Sequence, residues 1–277
     1  MVFERAISAS NWTSSSFASI FTGRSPSRHQ VVHRARSIPD SLQTLPEYFR
    51  DAGYATEAIM YKAYLYNMGF EQGFERWFNI PLHDVHAQSN LDKAMAWLDR
   101  NGTRRIFLFL HFNDPHQPFN QPKPFTEKYA TRQDLGRYAV NLPITITGDN
   151  YVKGCGNCGQ GKALKKDFKP VAHDLYDGEI NFIDDLLGVF LLALRDRGLY
   201  DNTIIAFVAD HGEMMWEHAN TFGHGGPWLY DTLTRVPLLI KPHASFKQGP
   251  SRIARTVQAY DVMPTLVELA GLELREE

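Results

Sequence analysis

The sequence has few cysteines, no long apolar run and no excess of charge of one sign. Its 277 residues contain two cysteines, Cys155 and Cys158, which are too few for a disulfide scaffold. No apolar stretch approaches the ~20 residues of a membrane span, and residues 1–16 lack the charged-then-apolar order of a signal peptide. The 29 basic and 31 acidic residues nearly balance, which argues against a nucleic-acid groove or a polybasic membrane patch.

Helical and extended apolar patterns alternate along the chain. Apolar residues at helical spacing predict helices at residues 13–23, 42–53, 91–102, 174–197 and 257–271. Short apolar runs predict buried strands at residues 55–60, 105–112, 203–209 and 235–240. Such alternation is typical of a parallel sheet that is covered by helices on both faces. At this length, we expect one large α/β domain.

The strand predicted at 203–209 stops at Asp210 and His211. Ligands bind at the carboxyl ends of the strands in open α/β sheets. A carboxylate beside an imidazole suits a divalent cation, and His218 and His224 follow in a glycine-bearing loop that can return to it. The alternative is that Asp210 caps a turn and that the histidines are surface residues, since short motifs are frequent by chance.

Two other positions carry polar groups that suit an anionic substrate. The helix that starts near Thr13 offers unpaired N–H groups and a cluster of hydroxyls, which favour sulfate or phosphate; the alternative is that these hydroxyls are only N-caps. His116 follows the predicted strand at 105–112 and lies in a rigid turn between two prolines. It can hold an anion or donate a proton, although a lone histidine is more often structural.

The periodic pattern is lost between residues 131 and 170, so we predict a surface insertion there. The insertion contains Cys155-Gly156-Asn157-Cys158, which is half of the ligand set of a structural zinc site. Free thiols or a local disulfide are the preferred interpretation, and zinc is the alternative. Three nearby lysines are interpreted as a solvated face, or as an aid to an approaching anionic substrate: Lys162, Lys165 and Lys166.

Four blocks together resemble the sulfatase family of the alkaline phosphatase superfamily over nearly the whole chain. They are ASNWT with ASIFTG (9–13 and 18–23), FLHFNDPHQPF (109–119), LYDGEI (175–180), and ADHGE with GHG (209–213 and 223–225). The resemblance implies a three-layer α/β sandwich with a mostly parallel central sheet. It also implies a metal-dependent hydrolase of sulfate or phosphate esters of small molecules, glycans or lipids. Sulfate and phosphate are both tetrahedral anions, so the motifs do not separate them.

The resemblance assigns the nucleophile position to Thr13, counted back from Thr22-Gly23. Type I sulfatases carry a cysteine or serine there, which is converted to formylglycine. Ser15 and Phe17 replace the proline and arginine of the modification motif, so no formylglycine is expected. A threonine resembles the phosphoryl-handling members of the superfamily.

Further roles follow from the same resemblance. Asp210 and His211 correspond to ligands of a divalent metal, which would be Ca²⁺, Mn²⁺ or Mg²⁺, with zinc as a further option. His116 and His224 correspond to residues that contact the ester oxygens or protonate the leaving group. His218 is a weaker substrate-binding candidate, and Glu213 is interpreted as structural support rather than as a ligand.

The family pattern extends beyond residues 1–277 at both ends. A strand with acidic metal ligands usually precedes the nucleophile helix, and a smaller subdomain usually follows; we expect this sequence to lack both. Two alternatives to ester hydrolysis therefore stay open, a phosphoryl-group transferase or phosphodiesterase, and a non-catalytic member that only binds anions. A sheet without a central strand beside Asp210 would favour the non-catalytic alternative. An extracytoplasmic location is common in the family and is only an expectation here.

Overall fold

The structure is a computed structural model that describes residues 1–32, 36–61, 65–80, 87–130, 133, 135, 140–147, 151–155, 168–218, 221–247, 249 and 251–275. The strands in chain order are β1 (Val2–Ile7), β2 (Ala55–Met60), β3 (Arg76–Asn79), β4 (Ile106–Leu110), β5 (Val140–Thr147), β6 (Tyr151–Cys155), β7 (Ile205–Val208), β8 (Met214–Met215), β9 (Phe222–Gly223), β10 (Arg235–Lys241) and β11 (Arg252–Gln258). The helices are α1 (Thr13–Thr22), α2 (Pro26–His29), α3 (Leu45–Asp51), α4 (Ala87–Asn101), α5 (Lys123–Tyr129), α6 (Lys169–Asp196), α7 (Asp231–Thr234) and α8 (Val262–Leu269).

The strands of the described region pair in two larger sheets and two small hairpins. The first sheet has the order β11-β1-β10-β7; β1 runs parallel to β11, whereas β10 runs antiparallel to both β1 and β7, with Leu238 opposite Val208. The second sheet has the order β3-β2-β4 and is entirely parallel, with Ala58 opposite Phe109. The α/β class is confirmed, and the antiparallel strand β10 is the departure from a continuous parallel sheet.

Helices cover both faces of the second sheet. Ala58 and Met60 of β2 share a core cluster with Phe21 of α1. Ile59, which lies between them in sequence, belongs to another cluster with Ala94 of α4. Successive strand residues point to opposite faces, so this division places α1 on one face and α4 on the other. The predicted three-layer arrangement is therefore confirmed.

The two sheets end at β4 and β7, and a cavity of about 2210 Å³ is lined by every residue of both strands. In the described part of the chain, β4 pairs only with β2, and β7 pairs only with β10. Apolar side chains of α1 and α6, including Phe17 and Ile183, complete the cavity wall. Each strand thus has an edge of backbone groups without a neighbouring strand. Among the described residues, no strand lies between β4 and β7, beside the strand that leads to Asp210.

The C-terminal elements differ from the sequence-based prediction of one helix over residues 257–271. Val257 and Gln258 pair with Ala6 and Ile7 in the parallel β1–β11 ladder, and helix α8 spans only Val262–Leu269. Neither β1 nor β11 was predicted as a strand. The cause is a pairing between chain segments about 250 residues apart, which local periodicity does not report.

The predicted insertion at 131–170 contains the antiparallel hairpin β5–β6, in which Val140 lies opposite Cys155. Ile146 of β5 is 1% exposed and packs in one cluster with Phe119. Its N–H donates to Oε1 of Gln117 at 2.7 Å, so the hairpin supports the segment that carries His116. Cys158 and the three lysines lie outside the described residues, and zinc binding stays a prediction.

Alanine substitutions at two glycines of α6 should change the stability of the protein in opposite directions. A Cβ at Gly188 would meet no atom within 4 Å, whereas a Cβ at Gly178 would lie 2.5 Å from Nε2 of Gln121 and 3.0 Å from the carbonyl oxygen of Phe125. Alanine is the better helix former, so we expect Gly188→Ala to raise the free energy of unfolding by about 0.5–1 kcal/mol. Gly178→Ala should lower it by about 1–3 kcal/mol through overpacking. Urea denaturation measures both, and a stabilising Gly178→Ala would contradict this packing.

Candidate active site

Thr13, Asp210 and His211 lie together although they are far apart in sequence. Thr13 is the first residue of α1, and its Oγ1 is 3.3 Å from Nε2 of His211. The Thr13 hydroxyl also hydrogen-bonds to the Asp210 carboxylate, whose Oδ2 is 3.4 Å from the same Nε2. Thr13 is 5% exposed. The hydroxyl is therefore held between a carboxylate and an imidazole at the carboxyl end of β7.

The tautomer of His211 follows from its other ring nitrogen. Nδ1 lies 2.8 Å from the carbonyl oxygen of Gly212. A carbonyl oxygen only accepts hydrogen bonds, so Nδ1 carries the proton. When the ring is neutral, Nε2 consequently presents a lone pair towards Thr13. This nitrogen is able to accept the Thr13 proton or to bind a cation.

Asp210 is stabilised as a carboxylate. Burial alone would raise the pKa of Asp210, but electrostatic interactions with His211 and His111 oppose this effect. Hydrogen bonds from the Thr13 hydroxyl and from the His211 backbone N–H act in the same direction, and the net pKa lies below its ordinary value. Asp210 therefore remains charged when Thr13 donates to it.

The serine hydroxyls near the start of α1 bind the backbone just after β7 and do not cap the helix. The N-cap position is Trp12, and no side chain makes a capping hydrogen bond there. The hydroxyls of Ser16, at 2.6 Å, and of Ser8 donate instead to the carbonyl oxygen of Asp210. These bonds connect α1 and the end of β1 to the residue that follows β7. They hold the Thr13 end of α1 against the Asp210 peptide.

The rings of His116, His211 and His224 form a cluster next to Thr13 and Asp210. The centroid of the His224 ring is 4.2 Å from that of His211 and 5.2 Å from that of His116. The small β8–β9 hairpin, in which Met214 lies opposite Gly223, returns the chain to the end of β7. The loop thus brings His224 back towards Asp210, as the glycine-bearing sequence suggested.

Glu213 orients His224. Its two carboxylate oxygens lie 3.0 and 3.1 Å from Nδ1 of His224, and the Glu213 side chain is 8% exposed. A carboxylate only accepts, so Nδ1 of His224 donates and carries a proton. The sequence suggested that Glu213 gives general structural support, whereas the structure places its carboxylate directly against His224. The sequence feature that could have indicated this contact is the position of Glu213 two residues after His211.

His116 lies in a segment that is fastened to α6. The N–H groups of Asn120 and Gln121 donate to Oε1 of Glu179 at 2.5 and 3.1 Å. The Glu179 carboxyl also hydrogen-bonds to the Asp114 carboxyl, two residues before His116. Glu179 is 1% exposed. The DGE motif of α6 thus supports the histidine segment from behind.

His218 lies apart from the cluster, with its ring stacked on Tyr230 at a centroid distance of 3.8 Å. Two residues that sequence reasoning missed are closer to the site. His111 ends β4, packs edge-on against Phe17 and acts electrostatically on Asp210; its position past a strand was a signal for it. The ring of Trp12 lies 6.0 Å from that of His224.

The donor set fits a divalent cation only in part. Oγ1 of Thr13, Oδ2 of Asp210 and Nε2 of His211 are mutually close enough to share one ion. A hard cation takes about six to eight ligands, and the described residues include no group of three or more His, Cys, Asp or Glu side chains that could hold a metal. These three residues therefore supply less than a complete coordination shell. Water or groups outside the described residues would have to supply the remainder.

A search of known families matches a model described as Sulfatase to residues 1–272. An arylsulfatase of Clostridium perfringens (strain 13 / Type A) is 27% identical over 338 aligned residues, which cover 98% of this chain and 68% of that protein. Arylsulfatase K of Bos taurus is 29% identical over 202 aligned residues, which cover 67% of this chain and 36% of that protein. The matches therefore span between about a third and two thirds of these relatives.

A solved structure has a similar fold. The phosphonate monoester hydrolase of Agrobacterium radiobacter superposes with a TM-score of 0.80 at 21% identity, covering 98% of this chain and 67% of that chain. At this identity the likeness shows the fold alone. Among the described residues of this chain, no helix is both long and apolar enough to cross a membrane.

Proposed function

Because this chain belongs to the sulfatase family, we propose that it hydrolyses sulfate esters by in-line attack of the Thr13 hydroxyl. The observation that carries the proposal is the position of Oγ1 of Thr13, between the Asp210 carboxylate and Nε2 of His211. Threonine is a weak nucleophile unless a neighbouring base or a cation activates it. The hydroxyl carries one proton, which it donates to Asp210 in this structure. For attack on sulfur the hydroxyl turns this proton to Nε2 of His211, which accepts it as the oxygen bonds to sulfur.

The leaving oxygen requires a proton once its bond to sulfur breaks. His116 and His224 are the candidates, because their rings lie together beside His211. Glu213 accepts from Nδ1 of His224, which fixes the ring and leaves Nε2 of His224 as the atom that delivers the proton. Water then attacks the sulfur of the Thr13 sulfate ester, which releases inorganic sulfate and restores the hydroxyl.

The negative oxygens of the ester face two favourable groups. The first N–H groups of α1 lack intrahelical partners and lie at the positive end of the helix dipole. Asp210 and His211 are the residues that would hold a divalent cation, which would be Ca²⁺, Mn²⁺, Mg²⁺ or Zn²⁺. When bound, such an ion lowers the pKa of a coordinated hydroxyl and neutralises anionic oxygens. Formylglycine has no part in the proposal because position 13 is a threonine.

Hydrolysis of 4-nitrophenyl sulfate, 4-nitrophenyl phosphate and bis(4-nitrophenyl) phosphate, each with and without Mn²⁺ or Ca²⁺, tests the proposal. We expect the sulfate monoester to have the highest kcat/KM. Faster turnover of a phosphorus ester would support a phosphodiesterase or phosphoryl transferase, which a threonine nucleophile also suits. No turnover of any of the three esters would count both against a sulfate ester hydrolase and against a phosphodiesterase or phosphoryl transferase.

A second candidate is a protein that binds anions without turnover. Thr13, Asp210 and His211 line the cavity between β4 and β7, so an anion in this cavity has access to them. Calorimetric binding of inorganic sulfate without ester hydrolysis would favour this candidate.

Replacement of Glu213 tests whether this carboxylate acts on catalysis by orienting His224. We expect Glu213→Gln to lower kcat about 10- to 100-fold, since removing a charged partner of a functional histidine has effects of this size. The amide presents either an oxygen or an N–H group to Nδ1 and therefore orients the His224 ring less specifically than the carboxylate does. Glu217→Gln is the matched control, because Oε2 of Glu217 accepts the N–H of Met215, at 2.6 Å, rather than a histidine nitrogen. Equal kcat values for the two variants would remove His224 from proton transfer.

A further inference from the structure

Three rings form an exposed surface next to the candidate active site. His218 stacks on Tyr230 with ring centroids 3.8 Å apart and planes within 18°, and Trp228 is parallel to Tyr230 within 15° at 6.1 Å. Trp228 and Tyr230 are each 36% exposed. We name His218, Trp228 and Tyr230 the aromatic shelf. Exposed rings grouped in this way mark a site for an apolar partner more often than scattered ones do.

The aromatic shelf is fastened to the residues around Thr13. Nδ2 of Asn11 donates to the carbonyl oxygens of Gly226, at 2.8 Å, and of Trp228, at 2.6 Å. Asn11 precedes Thr13 by two residues, and Gly226 follows His224 by two residues. The Asn11 side chain is buried. One buried amide therefore connects the backbone of the shelf to both sides of the site.

Gly225 permits a close approach between the chain that leads to the shelf and the ring of Trp12. Gly225 has a φ of 79°, and a Cβ there would lie 2.0 Å from the Trp12 ring. Its N–H donates to the carbonyl oxygen of Asn11 at 3.1 Å. The chain between His224 and Trp228 is thus pressed against Trp12, which fixes where the shelf begins.

The chemistry of the shelf selects an uncharged ring. Residues 225–230 read GGPWLY and contain no charged side chain. A second sulfate or phosphate group on the substrate would find no Lys or Arg on these residues. The face of an aromatic ring stacks on another aromatic ring or on the C–H face of a sugar. Both of these ligands present an apolar face, which is the π face of an aryl ring or the C–H face of a pyranose.

We propose that the aromatic shelf binds the uncharged ring of the alcohol that carries the ester, with the ester directed to Thr13. This inference rests on the proposed function for the identity of the ester, but it is testable by binding alone. The ring belongs to either an aryl group or a pyranose. Its contribution appears as tighter binding of ring-bearing esters, whether or not turnover follows.

Calorimetric titration of the whole chain compares phenyl sulfate and glucose 6-sulfate with methyl sulfate, which has no ring. We expect one ring-bearing ester to bind roughly tenfold more tightly than methyl sulfate, as one aromatic stack provides. A preference for phenyl sulfate indicates an aryl group, and a preference for glucose 6-sulfate indicates a pyranose. Equal dissociation constants for all three esters would overturn the proposal.

Substitutions test whether the preference for ring-bearing esters depends on the aromatic shelf. Trp228→Ala and Tyr230→Ala should each remove most of the tenfold preference, and Trp228→Phe should retain it. Leu229→Ala is the control, since Leu229 is 70% exposed and has no ring; it should leave the preference unchanged. A preference that survives both alanine variants, with their folding verified by circular dichroism, would refute the shelf. An equal loss in Leu229→Ala would refute ring stacking.

The two proposals fail in different ways. Ring-dependent binding without hydrolysis refutes the proposed function and supports the shelf. Hydrolysis with equal KM values for ring-bearing and ring-free esters refutes the shelf and supports the proposed function. If no ester binds to the wild-type chain, both are overturned.

Discussion

Thr13→Ala should abolish ester hydrolysis, with kcat lowered on the order of 10⁴- to 10⁶-fold, as for removal of other catalytic nucleophiles. The reason is that Oγ1 is the atom of Thr13 that hydrogen-bonds to His211 and Asp210. Thr13→Ser keeps this oxygen and should retain activity within about tenfold. Steady-state rates with 4-nitrophenyl sulfate, measured with added Mn²⁺ or Ca²⁺, provide the test.

Ser14→Ala is the control for this experiment. Ser14 is the next hydroxyl of α1 and is fully buried, but its Oγ has no hydrogen-bond partner among the described residues. Its removal should leave kcat within about twofold, because a buried hydroxyl without a partner contributes no net stabilisation. Full activity of Thr13→Ala would assign the nucleophile to another residue. Equal losses in both alanine variants would indicate general damage to α1.

Glu179→Ala should lower the free energy of unfolding by about 2–4 kcal/mol, because it removes the acceptor of two buried N–H groups and the partner of Asp114. Glu179→Gln keeps an acceptor for Asn120 and Gln121 and provides a donor to Asp114. It should therefore cost much less at neutral pH. Urea denaturation of the three proteins measures the difference.

The effect of Glu179 should also depend on pH. Burial, followed by the nearby Asp114 carboxyl, raises the pKa of Glu179, while the two backbone N–H groups oppose the shift, and the net pKa is about 9. A raised pKa in the folded state gives stability that is present below the ordinary pKa and is lost as pH rises through the folded value. Wild-type stability should therefore fall between about pH 5 and pH 9, by at most about 1.4 kcal/mol per pH unit from this group.

Glu179→Gln lacks this titration, so its stability relative to wild type should improve steadily as pH rises over the same range. The comparison of wild type with Glu179→Gln cancels the contribution of other carboxyl groups to a first approximation. A constant difference between pH 5 and pH 9 would mean that Glu179 is ionised in the folded chain. The Asp114–Glu179 contact would then not share a proton.

Much of the local structure was predictable because it depends on neighbouring residues. The helix at Thr13 and its end at Gly23, which has a φ of 65°, were both predicted; a left-handed glycine is a frequent helix stop. The strand at Ala55–Met60 has the predicted bounds. The termination of β7 before Asp210 and His211 was also predictable, because an apolar run that meets charged residues ends within a few positions.

The functional roles of Thr13, Asp210, His211, His116 and His224 stay predictions, although the structure brings all five into one region. Motif order suggested the five residues, since the carboxyl ends of the strands meet at one edge of the sheet. His218, the weaker substrate-binding candidate, stacks on Tyr230 rather than on the other histidine rings, and its role also stays a prediction. Sequence distance within a loop does not specify which face a side chain takes.

By itself, the sequence determined the alternation of helices and strands, the positions of their polar ends and the family to which the chain belongs. Only the tertiary structure decided the pairing of β1 with β11, the reversed direction of β10, and the division of the described strands into two larger sheets that end at β4 and β7. It also decided that Glu213 orients His224 and that Glu179 holds the His116 segment. The physical reason is that periodicity reports which face of a single element is buried. Contacts between elements distant in sequence depend on how all the faces pack at once.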